Sequence, residues 1–287
     1  MRELDQYELL GVNIVARRRN LRALILLPAL ALAATTAACA EEVNTGEDTQ
    51  AGEEISLIAE GKLTTCTHLP YEPFQFTQDG QTVGFDVELV DLIAEDLGVQ
   101  QEIFDTSFEG IESGQSFNTG QCDVAAAAMT ITDVRQQVMD FSDGYFDANQ
   151  ALLVKTDSGI TGLENLNGKV LGVQLGTTGE DYAEEHKDAH GYTTRQFEDL
   201  GLLQTAVKTG QIDAGINDNS VFLDFAKKNP DTEVTTEFET GEQYGIAVRK
   251  GNGAMLAKVN EVLAAAKQDG RYDAIYEKWF GTTPDSQ

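Results

Sequence analysis

Two hydrophobic patterns alternate along the chain from residue 62 onward. Short apolar runs at residues 63–67, 101–104, 123–129, 169–174 and 212–216 predict strands. The run at 123–129 is so uniformly small and apolar that it reads as a strand buried on both faces. Between these runs the apolar positions recur at helical spacing. Leu89, Ile93 and Leu97 predict a helix over 87–97, with Asp86 to cap its start and Gly98 to end it. Thr177-Thr178-Gly179-Glu180 has the capping-box pattern that opens a helix. Residues 200–208, 220–228 and 254–267 predict three more. Strands alternating with helices imply the α/β class with mostly parallel sheets. There is no internal repeat.

The first 40 residues follow a different pattern. Arg17, Arg18, Arg19 and Arg22 form a basic cluster, residues 23–34 are apolar apart from Pro28, and Thr36-Ala37-Ala38 precede Cys39. These are the marks of an export signal over residues 1–39, and the apolar run is too short to span a membrane comfortably. Small residues before a cysteine resemble a lipobox, which makes Cys39 the expected lipidated N-terminus. Thr36 stands where such motifs usually carry Leu, so ordinary cleavage near Ala38 is the alternative. Residues 40–60 are polar and acidic and read as a flexible tether. The expected location is the extracellular face of the cell membrane, or the periplasm.

Charge and cysteine count narrow the function. A formal net charge of −28 excludes a nucleic-acid partner, because phosphate binding needs a basic face. With Cys39 set aside, Cys66 and Cys122 remain. An oxidising compartment invites a disulfide between them, and two buried free thiols are the equal alternative. The chain has three histidines, His68, His186 and His190, and no metal-spaced Cys/His set, Gly-x-Ser-x-Gly or phosphate loop. No metal, cofactor or catalytic residue is therefore expected.

Gly84-Phe85-Asp86-Val87-Glu88-Leu89, followed by Ile93, Ala94 and Leu97, resembles the signature of the polar-amino-acid-binding family of ABC-transporter solute-binding proteins. Further segments resemble that family in order: the aromatic loop at 70–76, the segment 128–135, Asp140-Phe141-Ser142-Asp143, the stretch 168–178 and the ending at 270–281. The likeness covers roughly residues 61–281. It implies a two-lobed periplasmic-binding fold of the class II type, with a ligand cleft between the lobes at strand C-terminal ends. Lobe 1 would comprise 61–146 and 245–287, lobe 2 would comprise 150–241, and two hinge strands would pass at 147–149 and 242–244. The implied function is a monomeric receptor that captures a free amino acid and delivers it to an ABC permease and ATPase. Alternatives on the same fold are an exported cyclohexadienyl or prephenate-type dehydratase, with His68 as acid or base, and an amino-acid sensor.

An amino acid brings a carboxylate and an ammonium, and burying either requires a matched partner. Thr132 looks like a helix cap that sets Arg135 in a first turn, where a guanidinium opposes the helix dipole until an anion arrives. Thr178, at another helix start, offers a hydroxyl and a free backbone N–H to the same carboxylate. By resemblance, Asp218, the Ala128 carbonyl and the Thr130 hydroxyl receive the ammonium, and Tyr71 and Phe108 form aromatic walls. His68, Gln174 and Asn217 fall at side-chain-pocket positions, which favours a glutamine- or glutamate-like ligand over arginine or lysine. Residues 109–121 depart from the family pattern, with Gly110, Gly114 and Gly120 interrupting the expected helix.

Overall fold

The computed structural model describes residues 55–284. The export signal, Cys39 and the tether up to residue 54 lie outside the described residues. Residues 55–60, expected to belong to the tether, are docked instead. Ile55 and Leu57 pack against the core, and the Ile58 N–H donates to Asp123 Oδ1 at 2.8 Å.

The first part of the chain contains β1 (Lys62–Thr67), the hairpin β2 (Phe76–Gln78) and β3 (Gln81–Val83), α1 (Phe85–Asp96) and β4 (Gln100–Asp105). It continues through α2 (Phe108–Glu112), α3 (Gln115–Asn118), β5 (Val124–Ala125) and β6 (Met139–Phe141). The middle contains β7 (Phe146–Lys155), β8 (Val170–Gln174), α4 (Thr178–His190), β9 (Thr193–Phe197), α5 (Leu200–Lys208), β10 (Ala214–Asp218), α6 (Asn219–Lys228) and β11 (Thr232–Tyr244). The end contains β12 (Ala247–Arg249), α7 (Gly253–Asp269) and α8 (Arg271–Phe280).

Two five-stranded sheets result, one per lobe, in the orders β4-β1-β5-β12-β6 and β11-β7-β10-β8-β9. Both are mixed, which corrects the expectation of mostly parallel sheets. β12 runs antiparallel to β5 and β6, and β7 runs antiparallel to β10 and β11. The chain enters the second sheet through β7 and returns to the first through β11. These two strands pair with each other over most of their length, from Thr232↔Lys155 to Tyr244↔Phe146.

An aromatic core fastens that crossover to lobe 1. Phe146 of β7 stacks on Tyr244 of β11 with centroids 5.5 Å apart, and Phe74, Phe85, Tyr276 and Phe280 close around Phe146. Each such side chain contributes about 1.5–3 kcal/mol on burial. Gly84 admits Phe74 to this core. Its φ is +141°, and a Cβ there would stand 2.0 Å from the Phe74 carbonyl oxygen.

A second cluster in lobe 1 surrounds a disulfide between Cys66 and Cys122, with Phe108, Ile111, Phe117 and Met129 around it. Cross-linking residues 56 apart stabilises by about 4 kcal/mol in the chain-entropy picture. Residues 109–121 form α2 and α3 around this bridge. Gly114 takes a left-handed turn between them that lets Ile111 and Phe117 both face inward.

Candidate functional site

The apolar run at 123–129 is a strand only over Val124 and Ala125. Beyond them the backbone leaves the sheet, and Ala128 adopts a left-handed φ of +47°. Asp86 holds that conformation. It does not cap α1, whose N-cap is Gly84, but is buried and accepts the Ala128 N–H at 2.7 Å and the Tyr145 hydroxyl at 2.7 Å. Burial pushes its carboxyl up to about 7, against the pull of those two donors. The next residues lie along β11. The Ile131 N–H donates to the Gln243 carbonyl at 2.8 Å, and the Gly245 N–H donates to the Met129 carbonyl at 3.1 Å.

This segment forms one wall of a narrow, nearly closed cavity between the lobes. Lobe 1 lines it with Tyr71, Phe108, Ala127, Ala128, Thr130 and Arg135, and lobe 2 with Gln174, Thr177, Thr178 and Asp218. Eight of the ten expected ligand-binding residues are therefore brought together. Asn217 stands behind the wall, its Oδ1 2.6 Å from the Tyr71 hydroxyl oxygen, and donates to Gln174 Oε1 at 3.2 Å. His68 is not in the lining. Its two ring nitrogens face the Thr106 carbonyl at 2.8 Å and the Glu198 carbonyl at 3.1 Å, one on each side of the cleft.

Arg135 is 5% exposed and has no carboxylate within ion-pair distance among the described residues. Its guanidinium donates to the Thr130 carbonyl at 2.7 Å and the Gly176 carbonyl at 2.9 Å, and lies 5.3 Å from the centroid of the Phe108 ring. Thr132 does receive the Arg135 backbone N–H, at 3.2 Å, but the turn that follows is a 3-10 helix of three residues. Burial pulls the arginine's pKa down from its ordinary value, and the surrounding acids, Glu112 first, oppose it.

Asp218 ends β10. It occupies the N-cap position of α6, but its carboxylate makes no cap bond. It turns into the cavity, where it accepts from the Tyr71 hydroxyl at 2.6 Å, the Gln150 amide at 2.6 Å and the Tyr244 hydroxyl. Burial raises its carboxyl to about 6, with Glu242 the next cause, while the three donors pull it down. Thr177 caps α4 by accepting the Glu180 N–H at 3.2 Å. The return arm of the expected capping box reaches one residue further back, from Glu180 to the Gly176 N–H at 2.8 Å.

Glu242 is a residue that sequence reasoning missed. Its carboxylate accepts the Thr130 hydroxyl at 2.9 Å, the Thr178 hydroxyl at 2.8 Å, and the Gln150 amide at 3.2 and 3.3 Å. The signal that points to it is Gly241, since a glycine inside a strand pattern marks a bulge that re-aims its neighbours.

The cavity thus carries a guanidinium without a counter-ion on lobe 1 and a carboxylate supplied with donors on lobe 2. Such an arrangement accepts a small molecule with an anionic group and a cationic group. A family model described as bacterial extracellular solute-binding proteins, family 3, matches residues 63–282. The glutamine-binding protein GlnH of an ABC transporter in Bacillus subtilis is 38% identical over 211 residues, covering 71% of this chain and 75% of that protein. The solved structure of an ancestral arginine-binding protein bound to arginine is 43% identical with a TM-score of 0.72, covering 77% of this chain and 98% of that one. An ancestral amino acid-binding protein, AncCDT-1, a precursor of cyclohexadienyl dehydratase, is 38% identical with a TM-score of 0.72, covering 77% and 96%.

Proposed function

The chain belongs to the bacterial extracellular solute-binding proteins, family 3, and on that premise we propose that it captures a polar amino acid between its lobes and hands it to an ABC importer. The observation that carries this reading is Arg135. A buried guanidinium whose hydrogen bonds go only to carbonyl oxygens is costly unless a ligand brings the missing carboxylate. Thr178 adds its backbone N–H from the start of α4. The ammonium meets Asp218, the Ala128 carbonyl and the Thr130 hydroxyl. Because these groups come from both lobes, the ligand favours the closed arrangement over any open one, as ligand-driven closure requires.

Glutamine is the ligand this reading favours. The α-carboxylate takes the only guanidinium in the lining, and no second cation lines the cavity for a glutamate side chain. Gln174, backed by Asn217, offers a neutral amide wall that suits an amide tip. The glutamine-binding relative supports the same choice. The protein acts in this reading as a receptor without chemistry of its own. A prephenate-type dicarboxylate would bring two negative charges to a cavity lined by one guanidinium and the Asp218 carboxyl, with Glu242 behind Thr130 and Thr178. Export and lipidation at Cys39 would hold the receptor as a monomer at the outer face of the membrane, beside the permease.

Titration calorimetry of ligand-free protein against the twenty amino acids tests the proposal. One site per chain, tightest for glutamine, is the expected result. No heat with any amino acid would overturn it. For the anchor, Cys39→Ala is expected to release the protein into the medium, and unchanged membrane retention would remove that part.

A further inference from the structure

Glu242 is brought into the cleft by a defect in a strand. The register between β7 and β11 shifts between Phe238↔Gln150 and Glu242↔Ala148. Gly241 takes the left-handed φ of +66° that such a bulge needs. The Asn149 side chain fixes the bulge by accepting the Thr240 N–H at 3.0 Å and the Gly241 N–H at 3.2 Å. The strand resumes with Glu242 turned toward Thr130 and Thr178.

A hydroxyl has one proton to give. Thr130 gives its proton to Glu242 at 2.9 Å, which leaves its lone pairs for a donor in the cavity. Thr178 gives its proton to the same oxygen at 2.8 Å, and one proton of the Gln150 amide is shared between Thr178 at 3.3 Å and Glu242 at 3.2 and 3.3 Å. The other proton of that amide goes to Asp218 at 2.6 Å. Glu242 thereby sets the direction of the Thr130 and Thr178 hydroxyls.

Resting on the amino-acid-binding reading above, we infer that Glu242 is a positioning residue for the ligand's ammonium: its carboxylate orients the Thr130 hydroxyl as an acceptor and sets a second negative charge beside Asp218. The same geometry removes the Thr178 hydroxyl from the carboxylate subsite, where only its backbone N–H remains. The site therefore selects for a free α-ammonium over its replacement by hydrogen.

The test uses the full-length protein, L-glutamine and its des-amino analogue 4-carbamoylbutanoate. Glu242→Gln keeps the size and removes the charge. It is expected to weaken glutamine roughly ten- to hundredfold and the analogue less than about threefold. In a Thr130→Val background, Glu242→Gln is expected to cost less than it does alone, because the hydroxyl it orients is gone. A purely structural role predicts equal losses for the two ligands and additive losses for the two substitutions, and either result overturns the inference. So does unchanged glutamine affinity in Glu242→Gln. If the unmodified protein binds no amino acid, the functional reading falls together with this one; if it binds glutamine and Glu242→Gln binds it equally well, only this one falls.

Discussion

The two charged ends of the cleft solve opposite problems. At one end Arg135 is buried against carbonyl dipoles and lacks a counter-ion. At the other, Asp218 accepts three donors, and Glu242 adds a second acid tied to it through the Gln150 amide. The first end lacks a negative partner, and the second holds two carboxylates that meet only neutral donors. A zwitterion brings an opposite charge to both ends at once, and a ligand with only one of its charges leaves the other end unchanged. Recognition in such a site rests on completing charge balances more than on filling volume, which suits a cavity this small.

Removing the guanidinium breaks the comparison most directly. Arg135→Ala is expected to cost roughly 3–5 kcal/mol of ligand affinity, about two to three and a half orders of magnitude in Kd, measured by calorimetry. Near-wild-type affinity would mean that the carboxylate is held elsewhere. Asp218→Asn should cost about 2–4 kcal/mol for an amino acid and much less for its des-amino analogue. Equal losses would show that the two ends do not act on separate ligand charges.

A pH titration sharpens the picture. The ammonium needs Asp218 ionised, and in the free protein that carboxyl holds its proton below about 6. Affinity is therefore expected to be flat above that value and to fall about tenfold per pH unit below it. The stability of the ligand-free protein moves the other way. Native Asp218 and Asp86, raised to about 6 and about 7, retain protons that the unfolded chain releases near 4. Stability is thus gained as pH falls from about 7 toward 4 and lost as it rises back. Calorimetric melts with and without ligand would read both slopes. The smallest effect is expected at Thr178→Val, less than about threefold in glutamine affinity, because that hydroxyl serves Glu242 rather than the ligand.

Much of the α/β frame is legible in the sequence because its helices carry their own signals. Residues 200–208 form α5 over the expected span, and α1, α6 and α7 lie within two residues of expectation at each end. The long crossover strands are less legible. β11 is thirteen residues of mostly exposed or half-buried polar side chains, and it is a strand because β7 offers it an edge. The run at 123–129 misleads for the opposite reason. Its small apolar residues are buried, but past Ala125 they line the cleft side of the sheet, with Asp86 taking the backbone N–H of Ala128. In the site, the residues that a ligand's charges demand are legible, since their types are few. Glu242 is not, because one acid in an acidic segment looks like any solvated surface charge until the bulge is placed.

The pairing of β7 with β11 reaches beyond the placement of one acid. Both passages between the sheets belong to one hydrogen-bonded ribbon, clasped at its base by stacked aromatic rings. The two crossings therefore form one paired connection in place of two separate tethers. Glu242 sits within that connection, opposite Ala148, so the acid belongs to the link between the sheets.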